Sequence, residues 1–288
     1  MTDQHDADGW AGARGALWAR YAGRLDAMMA PVNHPLVDAL APEASDKIAD
    51  IGCGGGSTTA AILLNGPEET RISGFDVSPD LITKARAHWA EISAEHPDLA
   101  PGRAVFHLAD AAHAKPDDGP FDRLVSRFGV MFFEDEARAF SNLHAWLKPE
   151  GRFAFAVWAS PKENPWMSTV RDAVAEHIDL PAPDPEAPGP FRYADGIRFK
   201  AHLEACGFSG VEIRPWRGNL ALGGGLSSAD AADFALGAFA IANPLREQSA
   251  AVQKAVRSGL ETRFGQNLDA SGHVAMAAHV QIVTGHRQ

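Results

Sequence analysis

The sequence predicts an α/β protein built on a mostly parallel, doubly wound sheet with helices on both faces. From Lys47 onward, short apolar runs alternate with longer helical segments, the pattern of strand–helix–strand units whose crossovers cover a parallel sheet. The stretch Asp50-Ile51-Gly52-Cys53-Gly54-Gly55-Gly56-Ser57 joins the end of one such run to the start of a helix. Glycines at that junction let backbone N–H groups approach a ligand with no Cβ in the way. Finally, Asp50, Asp76 and Asp110 stand at or beside the ends of successive apolar runs, where open α/β sheets hold their ligands.

The elements follow in order. Trp10, Leu17, Trp18, Tyr21, Leu25, Met28 and Met29 recur at helical spacing, which predicts an amphipathic helix ended by Pro31 and Pro35. A short helix over Leu36–Leu40 precedes Pro42. Ile48–Ile51 is a strand, Ser57–Leu64 a helix and Arg71–Val77 a second strand. Ser78 then caps, and Pro79 opens, a helix running from about Asp80 to Ile92. Val105–Leu108 and Phe121–Phe128 are the third and fourth strands. Glu134–Leu147 is a helix with Ala137, Phe140, Leu143 and Leu147 on one face, closed by Lys148-Pro149-Glu150-Gly151 before a fifth strand at Phe153–Trp158.

After Trp158 the alternation breaks. A helix over Trp166–Ile178 leads into the run from Leu180 to Pro190, whose proline density excludes a helix or a central strand and predicts a surface strap. Alternation resumes with a helix at Ile197–Cys206 and a strand at Val211–Trp216. A second interruption is helical around Ala229–Ala242 and Pro244–Phe264, and the chain closes on Ala275–Thr284, where His279–Thr284 alternates like a strand. The expected organisation is N-terminal helices over 1–45, a sheet domain made of 46–159, 196–217 and 273–288, and a helical cap from the insertions 160–195 and 218–272.

Composition bounds the function. With 45% hydrophobic and 22% charged residues the chain has material for a full core without staples. A net charge of −11 argues against a nucleic acid or an anionic membrane as partner. The only cysteines, Cys53 and Cys206, make no disulfide framework and fit a reducing cytoplasm. The first eight residues are acidic and lack the pattern of a signal peptide, and no apolar stretch reaches the roughly 20 residues of a membrane span. A soluble cytoplasmic protein is expected. The histidines form neither HExxH nor a CxxC partnership, so no metal site is expected.

The glycine loop reads GxGxxS, with Ser57 where a dinucleotide fingerprint has its third glycine. Asp76 follows Gly56 by twenty positions, where a carboxylate accepts both hydrogens of a ribose diol. Asp110 ends the next strand, placed to meet an adenine amino group. Carboxylates at successive strand ends suit a cationic adenosine ligand and repel a pyrophosphate.

Here the motifs become specific. Asp50-Ile-Gly-Cys-Gly-Gly-Gly-Ser, Gly74-Phe-Asp-Val-Ser-Pro, Leu108-Ala-Asp-Ala, Phe121-Asp-Arg-Leu-Val-Ser-Arg and Leu147-Lys-Pro-Glu-Gly-Arg together resemble the motif series of class I S-adenosylmethionine-dependent methyltransferases. The nearest subgroup is the ubiquinone/menaquinone-biosynthesis (type 11) one, and the likeness is strong over residues 46–158. It implies a Rossmann-like seven-stranded sheet in the order 3-2-1-4-5-7-6 with an antiparallel final strand supplied by His279–Thr284. It further implies S-adenosylmethionine as cofactor, S-adenosylhomocysteine as product, and no metal. Carried over residue by residue, Gly52 and Gly54 lie against the methionine part, and backbone near Asp50 and Gly52 receives its amino group. Asp76 holds the ribose, Val77 flanks the adenine, Asp110 and Ala111 meet its edge, and Arg127 sits where backbone contacts the methionine moiety. Trp18 and Tyr21 are expected to close over the cofactor.

Phe128, Met131, Phe132, Trp158, Asn164 and Trp166 follow the fourth and fifth strands and are expected to line the acceptor pocket, favouring a flat or apolar acceptor. Displacement at a sulfonium needs alignment more than a protein nucleophile. A base matters only if the acceptor must lose a proton, and His113, Glu134, His177 and His273 are the candidates. The alternatives are a nicotinamide-dependent oxidoreductase and a regulatory protein that binds the cofactor without turnover.

Overall fold

The computed structural model describes residues 7–288; the acidic start of the chain, residues 1–6, lies outside the described residues. The N-terminal part folds as α1 (Ala7–Ala11), α2 (Ala13–Met29) and α3 (Asn33–Leu40). Then come β1 (Lys47–Ile51), α4 (Ser57–Asn65), β2 (Arg71–Asp76), α5 (Pro79–Glu95), β3 (Ala104–Leu108), β4 (Phe121–Arg127), α6 (Glu136–Trp146) and β5 (Leu147–Trp158). The remainder forms α7 (Pro165–Ala175), α8 (Gly196–Ala205), β6 (Phe208–Ala221), α9 (Ser228–Ala238), α10 (Ala250–Phe264) and β7 (Ala275–Arg287).

The strands make one seven-stranded sheet in the order β3-β2-β1-β4-β5-β7-β6, the architecture that the motif series implies. β7 alone runs against its neighbours β5 and β6. The order reverses direction at β1, so right-handed crossovers place α4 and α5 on one face and α6 on the other. That reversal opens a crevice beyond the carboxyl ends of β1 and β4. Ile48, Ala49, Leu124, Val125, Ala154 and Phe155 fill the central strands and are fully buried. None of the described helices is long and apolar enough to cross a membrane.

Helix starts follow local chemistry. Ser78 accepts the N–H of Leu81 and Asp135 accepts that of Arg138, so α5 and α6 begin where an oxygen satisfies a free donor. Some boundaries move from the sequence reading. α6 starts at Glu136 rather than Glu134 because Asp135 is its cap. The expected helix over Pro244–Phe264 divides into a 3-10 segment, Ala240–Glu247, and α10, whose cap is Ser249. Pro244 lacks the N–H that a continuous α-helix needs there. β6 extends well beyond Val211–Trp216, because it pairs with β7 from Phe208↔Arg287 to Ala221↔Ala275. This long ribbon leads the chain to α9, which packs on α10, and α10 in turn packs on α7.

Candidate cofactor and acceptor site

The loop after β1 is held by backbone bonds: Gly52 and Cys53 both donate to the Phe75 carbonyl at 2.8 and 3.1 Å, and Gly56 donates to Cys53 at 2.9 Å. Gly52, Gly54 and Gly56 all have positive φ (65°, 54° and 81°), a region costly for residues with a Cβ. Their surroundings differ. A Cβ on Gly52 would stand 2.7 Å from the Gly129 Cα, and one on Gly56 would stand 3.3 Å from Ala85 and Phe106. A Cβ on Gly54 would meet nothing within 4 Å. Gly52 is therefore demanded by packing against the β4 exit, whereas Gly54 lines open space. Bare backbone beside open space can cradle an extended ligand.

Asp50, near the end of β1, is 1% exposed. One carboxylate oxygen accepts the Thr59 hydroxyl at 2.7 Å, and the other is buried without a partner among the described residues. Burial pushes the Asp50 carboxyl up to about 6, against the opposing pull of the Thr59 bond and the Arg127 charge. A buried carboxylate with one idle oxygen is an unmet demand for a cation or a strong donor. Asp76 accepts Gly54 N–H at 3.0 Å and Ser78 N–H at 2.9 Å, one on each oxygen. These bonds fix its rotamer, and burial raises its carboxyl above the ordinary value. Val77 is half-buried beside it. Asp110 accepts Ala112 N–H at 2.8 Å, and its other oxygen lies 2.8 Å from His113 Nδ1, while Ala111 is buried. His113 thus belongs to the Asp110 turn.

Arg127, the last residue of β4, places its guanidinium 2.6 Å from Asp26 and 3.0 Å from Asn33. Its side chain ties α2 and α3 to the sheet. Asp26 also overlies the glycine loop, 3.4 Å from where a Gly55 Cβ would stand. The helix α2 spans the crevice: Gly15 is pressed against Ser78, the next turns cover Gly55, and Ala27 touches Gly224. Its two aromatic residues diverge. Trp18 meets Trp10, which in turn meets Phe132 at 4.9 Å, beside the β4 exit. Tyr21 instead packs on Phe234, with its hydroxyl against Gly237 of α9. Tyr21 therefore turns toward α9.

Phe128 occupies the left-handed region at φ 65°, a strained position for a bulky residue and one that clusters at functional sites. Its ring stacks on Trp158 at 4.0 Å with a 4° interplanar angle. The contacts continue from Trp158 to Trp166 at 5.0 Å and on to Phe239 at 5.4 Å. Met131 is buried next to this wall. Asn164 is fully buried; its amide donates to the Ala159, Ser160 and His279 carbonyls, and its oxygen accepts from His279 N–H and Trp166 Nε1. Every polar atom of Asn164 is spent pinning the turn after β5 to β7. Trp166, 1% exposed, backs the wall from behind. Both residues are buried, and their side-chain polar groups are bonded to their neighbours. Glu134, His177 and His273 are exposed on separate segments and do not converge on the loop.

Sequence reading missed Thr59, Asp26, Ser126 and Gly129. The Ser126 hydroxyl donates to the Ile51 carbonyl at 2.7 Å and accepts Gly129 N–H and Val130 N–H, joining the ends of β1 and β4. A glycine just past a strand end was the available signal for Gly129. Nothing local marks the other three. Among the described residues no group of three or more His, Cys, Asp or Glu is arranged to hold a metal ion.

Comparison with known proteins agrees with this geometry. Residues 48–151 match the family described as a methyltransferase domain. The biotin biosynthesis bifunctional protein BioCD of Bordetella avium is 31% identical over 131 residues, 45% of this chain and 25% of that protein. Trans-aconitate 2-methyltransferase of Streptomyces avermitilis is 34% identical over 131 residues, 43% of this chain and 45% of that one. The matches thus span between a quarter and under half of these relatives' length. The solved structure of the YcgJ protein from Bacillus subtilis is similar in fold, with a TM-score of 0.56 at 14% identity over 89% of this chain and 97% of that chain. The matched span, residues 48–151, runs from β1 through the glycine loop to the start of β5.

Proposed function

We propose that this chain is an S-adenosylmethionine-dependent methyltransferase whose acceptor is a small molecule. The observation that carries the reading is the idle, buried oxygen of Asp50 four residues before Gly54, whose Cβ side is open. A cationic amino group answers the first feature, and an extended chain lying on bare backbone answers the second. S-adenosylmethionine brings a methyl group on a sulfonium and leaves as the neutral thioether S-adenosylhomocysteine.

Around that ligand, Asp50 with nearby backbone at Gly52 receives the amino group. Asp76, held by its two backbone donors, keeps a free lone pair on each oxygen for the ribose hydroxyls. Val77, Asp110 and Ala111 bound the adenine. Trp18, in the cluster with Trp10 and Phe132, shields the crevice from the α2 side. Phe128 and Trp158, with Met131 and Phe132, form the acceptor wall, which suits an apolar or aromatic molecule. These groups act by positioning, which supplies up to about 7–11 kcal/mol in well-oriented reactions.

A second reading of the acceptor, a carboxylic acid, draws on the relative named for trans-aconitate and on Arg127, which already grips a carboxylate in Asp26. A panel of aromatic hydroxy compounds and of di- and tricarboxylic acids separates the two. The cofactor assignment is tested by calorimetry with S-adenosylhomocysteine: Asp76→Ala loses at least about tenfold in affinity, or 1.4 kcal/mol. Unchanged affinity in a folded variant overturns the assignment, and tight NADH binding in its place supports the oxidoreductase alternative.

A further inference from the structure

We propose that Thr59 is a positioning residue that keeps Asp50 ionised, and that the chain's affinity for its cationic ligand therefore falls with acidification at a pH set by the Thr59 hydroxyl. The proposal rests on the reading that Asp50 receives the ligand's amino group. Thr59 lies on the first turn of α4, fully buried, and donates to Asp50 at 2.7 Å. A hydroxyl pointing at a carboxylate stabilises the charged form, because the neutral acid offers a poorer acceptor. Among the described residues the opposite oxygen has no partner, so the Thr59 hydroxyl is the one side-chain donor the carboxylate has there. Valine has nearly the same shape and no donor.

The charges facing Asp50 come from three directions. Arg127 at the end of β4 favours its ionisation, while Asp76 at the end of β2 opposes it. Cys53 in the loop is buried beside both carboxylates and has its thiol pushed up by burial, so it is a neutral neighbour. Asp26 on α2 stands behind Arg127 and divides its charge. None of these depends on Thr59. His88 of α5, whose Nδ1 lies 3.2 Å from the Gly55 carbonyl, is the remaining titratable group on the loop and needs its own control.

The experiment measures S-adenosylhomocysteine affinity by calorimetry between about pH 5 and pH 7, where the ligand's amino group stays protonated. Wild type loses affinity on acidification with a midpoint set by Asp50. Thr59→Val moves that midpoint upward by about one pH unit, a tenfold change in the carboxyl's proton affinity, and Thr59→Ser restores the wild-type midpoint. His88→Gln leaves it in place. An unmoved midpoint in Thr59→Val overturns the proposal, and so does an equal loss of affinity at every pH, the signature of a merely structural role. A midpoint that moves with His88→Gln instead overturns it as well. If valine costs the fold, Thr59→Cys fills the same space with a weaker donor and moves the midpoint in the same direction. Wild type that binds no S-adenosylhomocysteine at any pH refutes the functional reading itself.

Discussion

Gly52 and Gly54 share a backbone conformation and differ in what lies beside them, so replacing each by alanine separates packing from ligand binding. Both variants place an L-residue in the left-handed region, at a cost of about 1–2 kcal/mol. Gly52→Ala also drives a Cβ to within 2.7 Å of the Gly129 Cα. Backbone stands on both sides of that contact, and no flexible side chain can swing away. Overpacking of this kind costs about 1–3 kcal/mol more, so Gly52→Ala loses about 2–5 kcal/mol in all. Gly54→Ala meets no atom within 4 Å and loses only the conformational part. Its methyl group, however, enters the space assigned to the methionine part of the cofactor. Urea denaturation is expected to rank the variants wild type, Gly54→Ala, Gly52→Ala in falling stability. Calorimetry is expected to show at least about tenfold weaker S-adenosylhomocysteine binding in folded Gly54→Ala, or 1.4 kcal/mol. Wild-type affinity in Gly54→Ala refutes the cradle, and equal stability of the two variants refutes the packing argument.

Two further perturbations follow from the same geometry. The Asp50 carboxyl is raised by burial to about 6 in the folded chain, so its favourable contribution is present below the ordinary carboxylate value and is lost as pH rises to about 6. Above that the ion costs about 3 kcal/mol at most; Asp50→Asn is expected to be about 1–3 kcal/mol more stable than wild type at pH 7.5 yet to bind S-adenosylhomocysteine more weakly, with the stability gain shrinking toward pH 4. A gain independent of pH in denaturant titrations contradicts this. Ser126→Ala removes the fully buried acceptor of the Gly129 and Val130 N–H groups and is expected to cost about 1–3 kcal/mol, with weaker ligand binding because the ends of β1 and β4 lose their common anchor; a midpoint within error of wild type in chemical denaturation counts against it.

Much of the sheet was legible because its signals are local. The alternation of apolar runs and helical segments reports burial directly, and Ser78-Pro79 marks the start of α5 through a bond only three residues long. The placement of Asp50, Asp76 and Asp110 at or just past the ends of β1, β2 and β3 was legible for the same reason, since a strand end and the residues after it are neighbours in the chain. The place of β7 between β5 and β6 was not contained in its own alternation; it came from the resemblance of the motif series. The full length of β6 escaped, because Gly218, Asn219, Leu220 and Ala221 fall in the second interruption of the sequence pattern and their strand partners stand more than fifty positions away.

The site divides along the same line. Chain order alone determined the doubly wound class, the glycine loop and the carboxylates at Asp50, Asp76 and Asp110, because φ preferences, caps and apolar periodicity act over a few residues. Tertiary structure alone decided that Gly52 is packed and Gly54 open, that Tyr21 turns to α9 while Trp18 stays near the β4 exit, and that Asn164 spends all its hydrogen bonds on the fold. It also decided that Thr59 holds one oxygen of Asp50 and leaves the other idle. Those outcomes depend on which surfaces meet across the sheet. Burial and hydrogen-bond saturation are properties of the assembled neighbourhood, and no single segment of the chain carries them.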